Sequence, residues 1–227
     1  MPTSTPEALN TLSAGLILIS AFAMVATRQV QGVRRFFVIQ SLLLAASAFL
    51  LGYGRSSVHL WALGAITLAA KVVTIPWVLQ RLLPNEFYER REISQAVNIP
   101  ASLLLALLLT VVAEFLTGPL VAGTSDPVIR VNVPIGLAGV LIGAYSLIAR
   151  REAIPQLIGI LAMENGAFFA GIAIAPELPI IAELAVAMDV MLIAVVVGLL
   201  TRNIRDTLGT TEAGALSELK EDPGAWR

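Results

Sequence analysis

Long apolar runs, separated by short polar segments, recur along nearly the whole chain. A helix that crosses a bilayer needs about 20 consecutive apolar residues, and seven of the runs approach or exceed that length. The seven runs cover residues 9–27, 36–53, 58–81, 97–117, 132–149, 153–175 and 178–201. The pattern therefore predicts an all-α, polytopic membrane protein with seven transmembrane helices.

The basic residues indicate how these helices are oriented. When the connecting segments are assigned alternately to two sides, twelve lysines and arginines fall on one side and only Arg55 and Arg130 on the other. Connecting segments that are rich in basic residues stay in the cytoplasm. We therefore expect the N-terminus outside and the C-terminus in the cytoplasm.

The connecting segments also suggest how the helices are grouped. A stretch rich in Gly, Pro and Ser follows the fourth run, so residues 1–120 hold four predicted helices and residues 121–201 hold three. The charged loop before the fourth run is long enough for a short interfacial helix over residues 85–95. Residues 202–227 form a polar tail, which we expect to be cytoplasmic.

Composition narrows the possible functions. The chain is 57% hydrophobic and 14% charged, contains no cysteine and has a single histidine, His59. Cysteine nucleophiles, disulfides and thiolate-held clusters are therefore excluded, and one histidine cannot supply a bis-histidine haem site. The net charge of −1 gives no reason to expect nucleic acid as a partner. With no metal-ligand spacing, phosphate loop or nucleophile–base pair, we expect no cofactor in this chain and no catalysis by the chain alone.

Two carboxylates stand in the middle of consecutive apolar runs. Glu164 and Asp189 each lie about eleven residues from the tight turn at residues 176–179, which is about 16 Å at 1.5 Å per residue. Ionisable groups at that depth are costly and are usually functional. A relay of protons is the hypothesis that we favour, and a hydrogen bond that only fastens two helices is the alternative.

Lys71 lies near the middle of the third run. An unpaired ammonium there costs about 3 kcal/mol or more, so a counter-charge is expected. Glu164 and Asp189 are the candidates, either in this chain or in a neighbouring subunit. Asn165, beside Glu164, offers a further hydrogen-bond partner. The ion pathway competes here with a purely structural ion pair.

Two other glutamates and a row of glycines are the remaining candidates for a functional or packing role. Glu183 projects about 120° from Asp189 and nearer the outer surface, where it lines an exit path or makes an interfacial contact. Glu114 stands three residues before the predicted end of its helix, so we expect it to reach the interface. Glycines of the fifth run, Gly136, Gly139 and Gly143, predict close packing of two helices.

The last three helices resemble the small subunit K (4L) of respiratory complex I. The run Ala162-Met163-Glu164-Asn165 is similar to the segment that carries the first membrane glutamate of that subunit. Asp189 corresponds to the second, with aspartate in place of the usual glutamate, and Glu183 is the rival match. Over its whole length and helix plan the chain resembles hydrogenase-4 component E, a membrane subunit of complex-I-like formate hydrogenlyases.

The resemblance implies an accessory, non-catalytic subunit of an oxidoreductase complex that moves protons or sodium ions. Its partners would be antiporter-like membrane subunits and a peripheral redox module, in the cytoplasmic (inner) membrane of a bacterium or archaeon. Glu164, Asp189, Lys71 and Glu183 would supply a lateral ion pathway. A subunit of a multi-subunit sodium/proton antiporter and a purely structural scaffold remain the alternatives.

Overall fold

The computed structural model describes residues 5–82 and 97–175, and every regular element within these ranges is a helix. Six of these helices are long and apolar enough to cross a membrane. The predicted seventh span at 178–201, the interfacial helix at 85–95 and the polar tail lie outside the described residues. The count of seven and the orientation of the termini therefore stay predictions.

The six helices alternate in direction because short connections join them, apart from the stretch between the third and the fourth. We label them α1 (Thr5–Ala26), α2 (Val30–Arg55), α3, α4 (Ile99–Ala122), α5 (Pro127–Ala149) and α6 (Ala153–Ile174). Helix α3 runs through three consecutive segments, Val58–Thr67, Leu68–Thr74 and Ile75–Leu82. One end of the bundle carries Arg55 and the other Arg150, and we name the ends after these residues.

Helix α5 begins five residues earlier than the hydropathy pattern predicts. Asp126 occupies the N-cap, where its side chain accepts a hydrogen bond from the Val128 amide at 2.8 Å, and Pro127 takes the first helical position. Both residue types favour a helix start. The same carboxylate forms an ion pair of 2.7 Å with Arg55, which holds the end of α2 against the start of α5.

The helices pack as two rows of three. Helices α1, α2 and α3 form one row, and α4, α5 and α6 form the other. Across the rows, α1 lies against α4 and α5, and α2 lies against α6. The predicted boundary at residue 120 therefore falls between two helices of the same row.

Glycines allow α5 and α6 to approach so closely that their backbones touch. A Cβ atom added at Gly136 would lie 2.6 Å from the carbonyl oxygen of Gly166, and one added at Gly143 would lie 2.7 Å from Met163. Small residues permit such contact between helices in lipid. The predicted glycine packing is therefore present, and it fixes the position of α6, the helix that carries Glu164.

Replacing Gly166 with alanine is expected to destabilise the protein. The new Cβ would lie 2.6 Å from the backbone nitrogen of Val140, so the helices must separate, and overpacking of this kind costs about 1–3 kcal/mol. Gly171, on the same helix, has no atom within 4 Å of an added Cβ. Unfolding by titration with sodium dodecyl sulfate checks the prediction: Gly171→Ala should match the wild type, and equal stability of Gly166→Ala would contradict the packing.

Candidate functional site

Lys71 lies in an unusual turn of helix α3. Residues Leu68–Thr74 wind as a π-helix, a wider turn that is rare and often occurs at functional sites. Thr74 supports the widened turn by donating its hydroxyl to the carbonyl of Ala69, five residues back, at 2.8 Å. The Lys71 side chain is turned into the bundle and is only 2% exposed.

The buried ammonium of Lys71 contacts three groups supplied by α6. Its Nζ lies 3.0 Å from Oε2 of Glu164 and donates to Oδ1 of Asn165 at 3.2 Å. The ring of Phe168 lies beneath it, 4.9 Å from Nζ to the centroid, within the range of a cation–π interaction. One carboxylate, one amide oxygen and one aromatic face thus compensate the charge.

Asn165 extends this contact to a third helix. Its Nδ2 donates to Oγ of Ser41 at 2.9 Å and to Oε1 of Gln40 at 3.3 Å, both on α2. Glu164, Lys71, Asn165, Gln40 and Ser41 form one connected group across α2, α3 and α6, and we call it the polar layer. All of its members are buried except Glu164, whose side chain keeps 21% of its surface exposed.

The polar layer lies at one depth in the bundle. Ser41, Lys71 and Glu164 are each eleven residues from the helix terminus at the Arg150 end, which is about 16 Å at 1.5 Å per residue. A hydrocarbon core is about 30 Å thick. The group therefore lies close to the middle of the membrane.

Apolar side chains close off the polar layer toward both ends of the bundle. Toward the Arg150 end, a cluster that includes Phe37, Ile75 and Leu161 fills the space between α2, α3 and α6. Toward the Arg55 end, a second cluster that includes Leu44 and Phe169 does the same. On each of the three helices, residues of one cluster precede the polar layer and residues of the other follow it.

A separate polar contact lies at the depth of the second cluster. Asn10 of α1 donates to Oδ1 of Asn132 on α5 at 2.8 Å and accepts a hydrogen bond from Ser47 of α2. All three residues are buried. This contact fastens three helices near the Arg55 end, and Phe169 and Leu44 separate it from Lys71.

Arg150 is a buried structural residue. In the sequence it served only to indicate the orientation of the helices. It follows the last residue of α5, is 2% exposed and donates to the carbonyl oxygens of Met24 and Thr27 at the end of α1. Carbonyls at a helix C-terminus favour a cation. Burial lowers the pKa of Arg150 to about 10, so it stays charged at neutral pH.

The structure brings some of the predicted site residues together, and others lie outside the described residues. Lys71, Glu164 and Asn165 come together within the chain, whereas Asp189 and Glu183 lie outside the described residues. Glu114 does not stand near a helix end as expected, because α4 continues to Ala122. Among the described residues, no group of three histidines, cysteines or carboxylates lies close enough to hold a metal ion.

Gln40 and Ser41 are the members of the polar layer that the sequence analysis missed. They form a pair of adjacent polar residues inside the second apolar run, and that position was the available signal. A glutamine and a serine carry no charge, so hydropathy alone does not mark them.

Comparison with known proteins finds relatives of similar length. It is 30% identical over 210 residues to a Mycobacterium tuberculosis protein described as "Uncharacterized protein Rv0085", covering 92% of this chain and 94% of that protein. It is 24% identical over 212 residues to hydrogenase-4 component E of Escherichia coli K12, covering 91% and 95%, and equally to that of Shigella flexneri. No family model and no solved structure matches it. The chain therefore belongs to the family of Rv0085, and hydrogenase-4 component E is its distant homologue over nearly the whole length.

Proposed function

We propose that the chain is a membrane subunit of a complex-I-like, redox-driven complex of the membrane-bound nickel–iron hydrogenase type, and that its polar layer forms part of a lateral ion pathway. The homology to hydrogenase-4 component E supports membership in such a complex. The observation that carries the ion pathway is the Lys71–Glu164 pair at half depth, enclosed by two apolar clusters.

The Lys71–Glu164 pair makes different contacts when Glu164 is ionised and when it is protonated. When Glu164 is ionised, the Lys71 ammonium bonds to it at 3.0 Å. When a proton binds the carboxylate, the attraction falls, and Lys71 keeps the oxygen of Asn165 and the ring of Phe168. A nearby cation favours the ionised form of a carboxyl group, so a small shift of Lys71 changes how readily Glu164 binds a proton. A proton relay needs a carboxyl group that responds in this way to a nearby charge.

The geometry favours transfer parallel to the membrane plane. Clusters of hydrophobic residues lie on both sides of the polar layer along the bundle axis. Glu164 is the least buried member of the polar layer, with 21% of its side chain accessible compared with 2% for Lys71, although its Oε1 atom is buried. We propose that protons enter and leave at the side of α6, the helix that precedes residues 178–201 and Asp189 in sequence.

A proton suits this site better than a sodium ion. The Lys71 ammonium already balances the negative charge of the Glu164 carboxylate, so a sodium ion would bring a second positive charge to the site. The amide nitrogen of Gln40 is buried and finds no acceptor in the part of the chain that the structure describes. That donor is available to a water molecule, and water chains carry protons.

Purification from native membranes tests the membership in a complex. The tagged chain is isolated in mild detergent and its companions are identified by mass spectrometry. We expect an antiporter-like membrane subunit together with a hydrogenase-like large subunit. Companions from a sodium/proton antiporter without a redox module, or recovery of the chain alone, would contradict the proposal.

A further inference from the structure

Helix α4 exposes a broad apolar face that carries one carboxylate. Of the six described spans α4 is the least buried. Its buried side is a narrow stripe of small or polar residues, Ser102, Ala106, Ala113 and Thr117. The exposed side carries large apolar residues, Leu104, Leu107, Leu108, Val111, Phe115 and Leu120.

Glu114 belongs to this exposed side and lies deep in the span. It is fifteen residues from Ile99 and eight from Ala122, or about 22 Å and 12 Å from the two helix ends. No described residue contacts its carboxylate through a hydrogen bond or an ion pair. A carboxylate that faces hydrocarbon at this depth is costly and almost always finds a partner.

The undescribed parts of the chain are poor candidates for that partner. Residues 178–201 contain Glu183 and Asp189 but no lysine or arginine. The arginines of the loop before α4, Arg90 and Arg91, precede Ile99, at the helix end that is about 22 Å from Glu114. The described residues thus supply no charge that matches Glu114, and a partner subunit is the source that we favour.

The described residues of a second copy do not supply it either. Among the described residues, Lys71 is the one cation near half depth, and it is 2% exposed. The other described arginines lie in the first or last two turns of helices or between helices. Two copies joined through α4 would place Glu114 against apolar or like-charged groups.

We infer that the exposed face of α4 binds a transmembrane helix of a different subunit, and that this helix presents a lysine or arginine at the depth of Glu114. The apolar side chains supply the packing, and the ion pair sets the register of the two helices, as polar pairs do between helices in lipid. The inference rests on the proposed membership in a complex but does not depend on the ion pathway.

Photo-crosslinking in the otherwise unchanged protein tests the surface. A photoreactive phenylalanine analogue replaces Leu108 or Val111, the native complex is irradiated, and the adducts are mapped by mass spectrometry. We expect one partner helix that contains a basic residue. Adducts with a second copy, with lipid only, or with a helix that lacks a basic residue would overturn the inference.

Charge variants test the role of Glu114. Glu114→Gln is expected to lower the amount of the partner that co-purifies, and Glu114→Lys to lower it by about tenfold or more, because like charges face each other. Glu164→Gln should retain the partner. Full recovery of the partner with Glu114→Lys would remove the docking surface and leave the ion pathway untouched, whereas failure of the pathway would show in Glu164→Gln alone.

Discussion

Replacing Glu164 with glutamine is expected to reduce ion translocation by the assembled complex by about tenfold or more. Glutamine has nearly the same shape and retains an oxygen that accepts a hydrogen bond from Lys71, so packing against α3 persists. It cannot bind or release a proton, and Glu164 is the one carboxylate of the polar layer within the described residues. The complex should therefore assemble, turn over its redox substrate and fail to translocate.

Translocation is measured in proteoliposomes with a pH-sensitive dye, and redox turnover is measured in the same sample. Glu7→Gln is the matched control, because Glu7 lies in the first turn of α1, far from Lys71 in the fold. Glu164→Asp keeps the titratable group and should restore part of the activity. Translocation at the wild-type ratio to redox turnover in an assembled Glu164→Gln complex would refute the pathway.

Replacing Lys71 with methionine is expected to destabilise the protein by about 3–5 kcal/mol, since removal of one partner leaves the other charge uncompensated inside the membrane. Methionine fills a similar volume, so the effect reports charge more than packing. Lys71 is almost fully buried, and its other contacts, with Asn165 and Phe168, are lost as well.

The double variant Lys71→Met/Glu164→Gln separates the ion pair from these other contacts. It removes both charges at once, so it should recover much of the lost stability, because neutral replacement of a buried pair is often tolerated. It should not recover translocation. Titration with sodium dodecyl sulfate measures the stability of each variant. A double variant as unstable as Lys71→Met alone would show that the pair is not the source of the effect.

The hydropathy pattern predicted the six described spans and the depth of Lys71 and Glu164, since apolar length and helix rise depend on local sequence, but it placed Glu114 too close to a helix end. It did not predict which face a residue occupies. Glu114 and Glu164 both stand in apolar helices, yet the first is exposed and the second borders a buried cation. That difference arises from packing between helices distant in sequence.

Other features could not be predicted from the sequence, for specific physical reasons. The π-helix that directs Lys71 inward has no sequence signature comparable to a cap or a proline. The sequence named Glu164 and Asp189 as candidate partners of Lys71, and the contact between α3 and α6 brings Glu164 to it; the glycines of α5 set that contact indirectly by fixing the position of α6. The start of α5, in contrast, was readable from Asp126 and Pro127, although mean hydropathy placed it later.

Infrared difference spectroscopy of the complex during redox turnover tests most directly whether the buried carboxyl group of Glu164 exchanges protons. Protonated and ionised carboxyl groups absorb at different frequencies, so a change of state appears as a band pair. If Glu164 exchanges protons, a carboxyl band pair appears with turnover in the wild type and is missing in Glu164→Gln. A difference spectrum that is the same in both proteins would contradict proton exchange by Glu164.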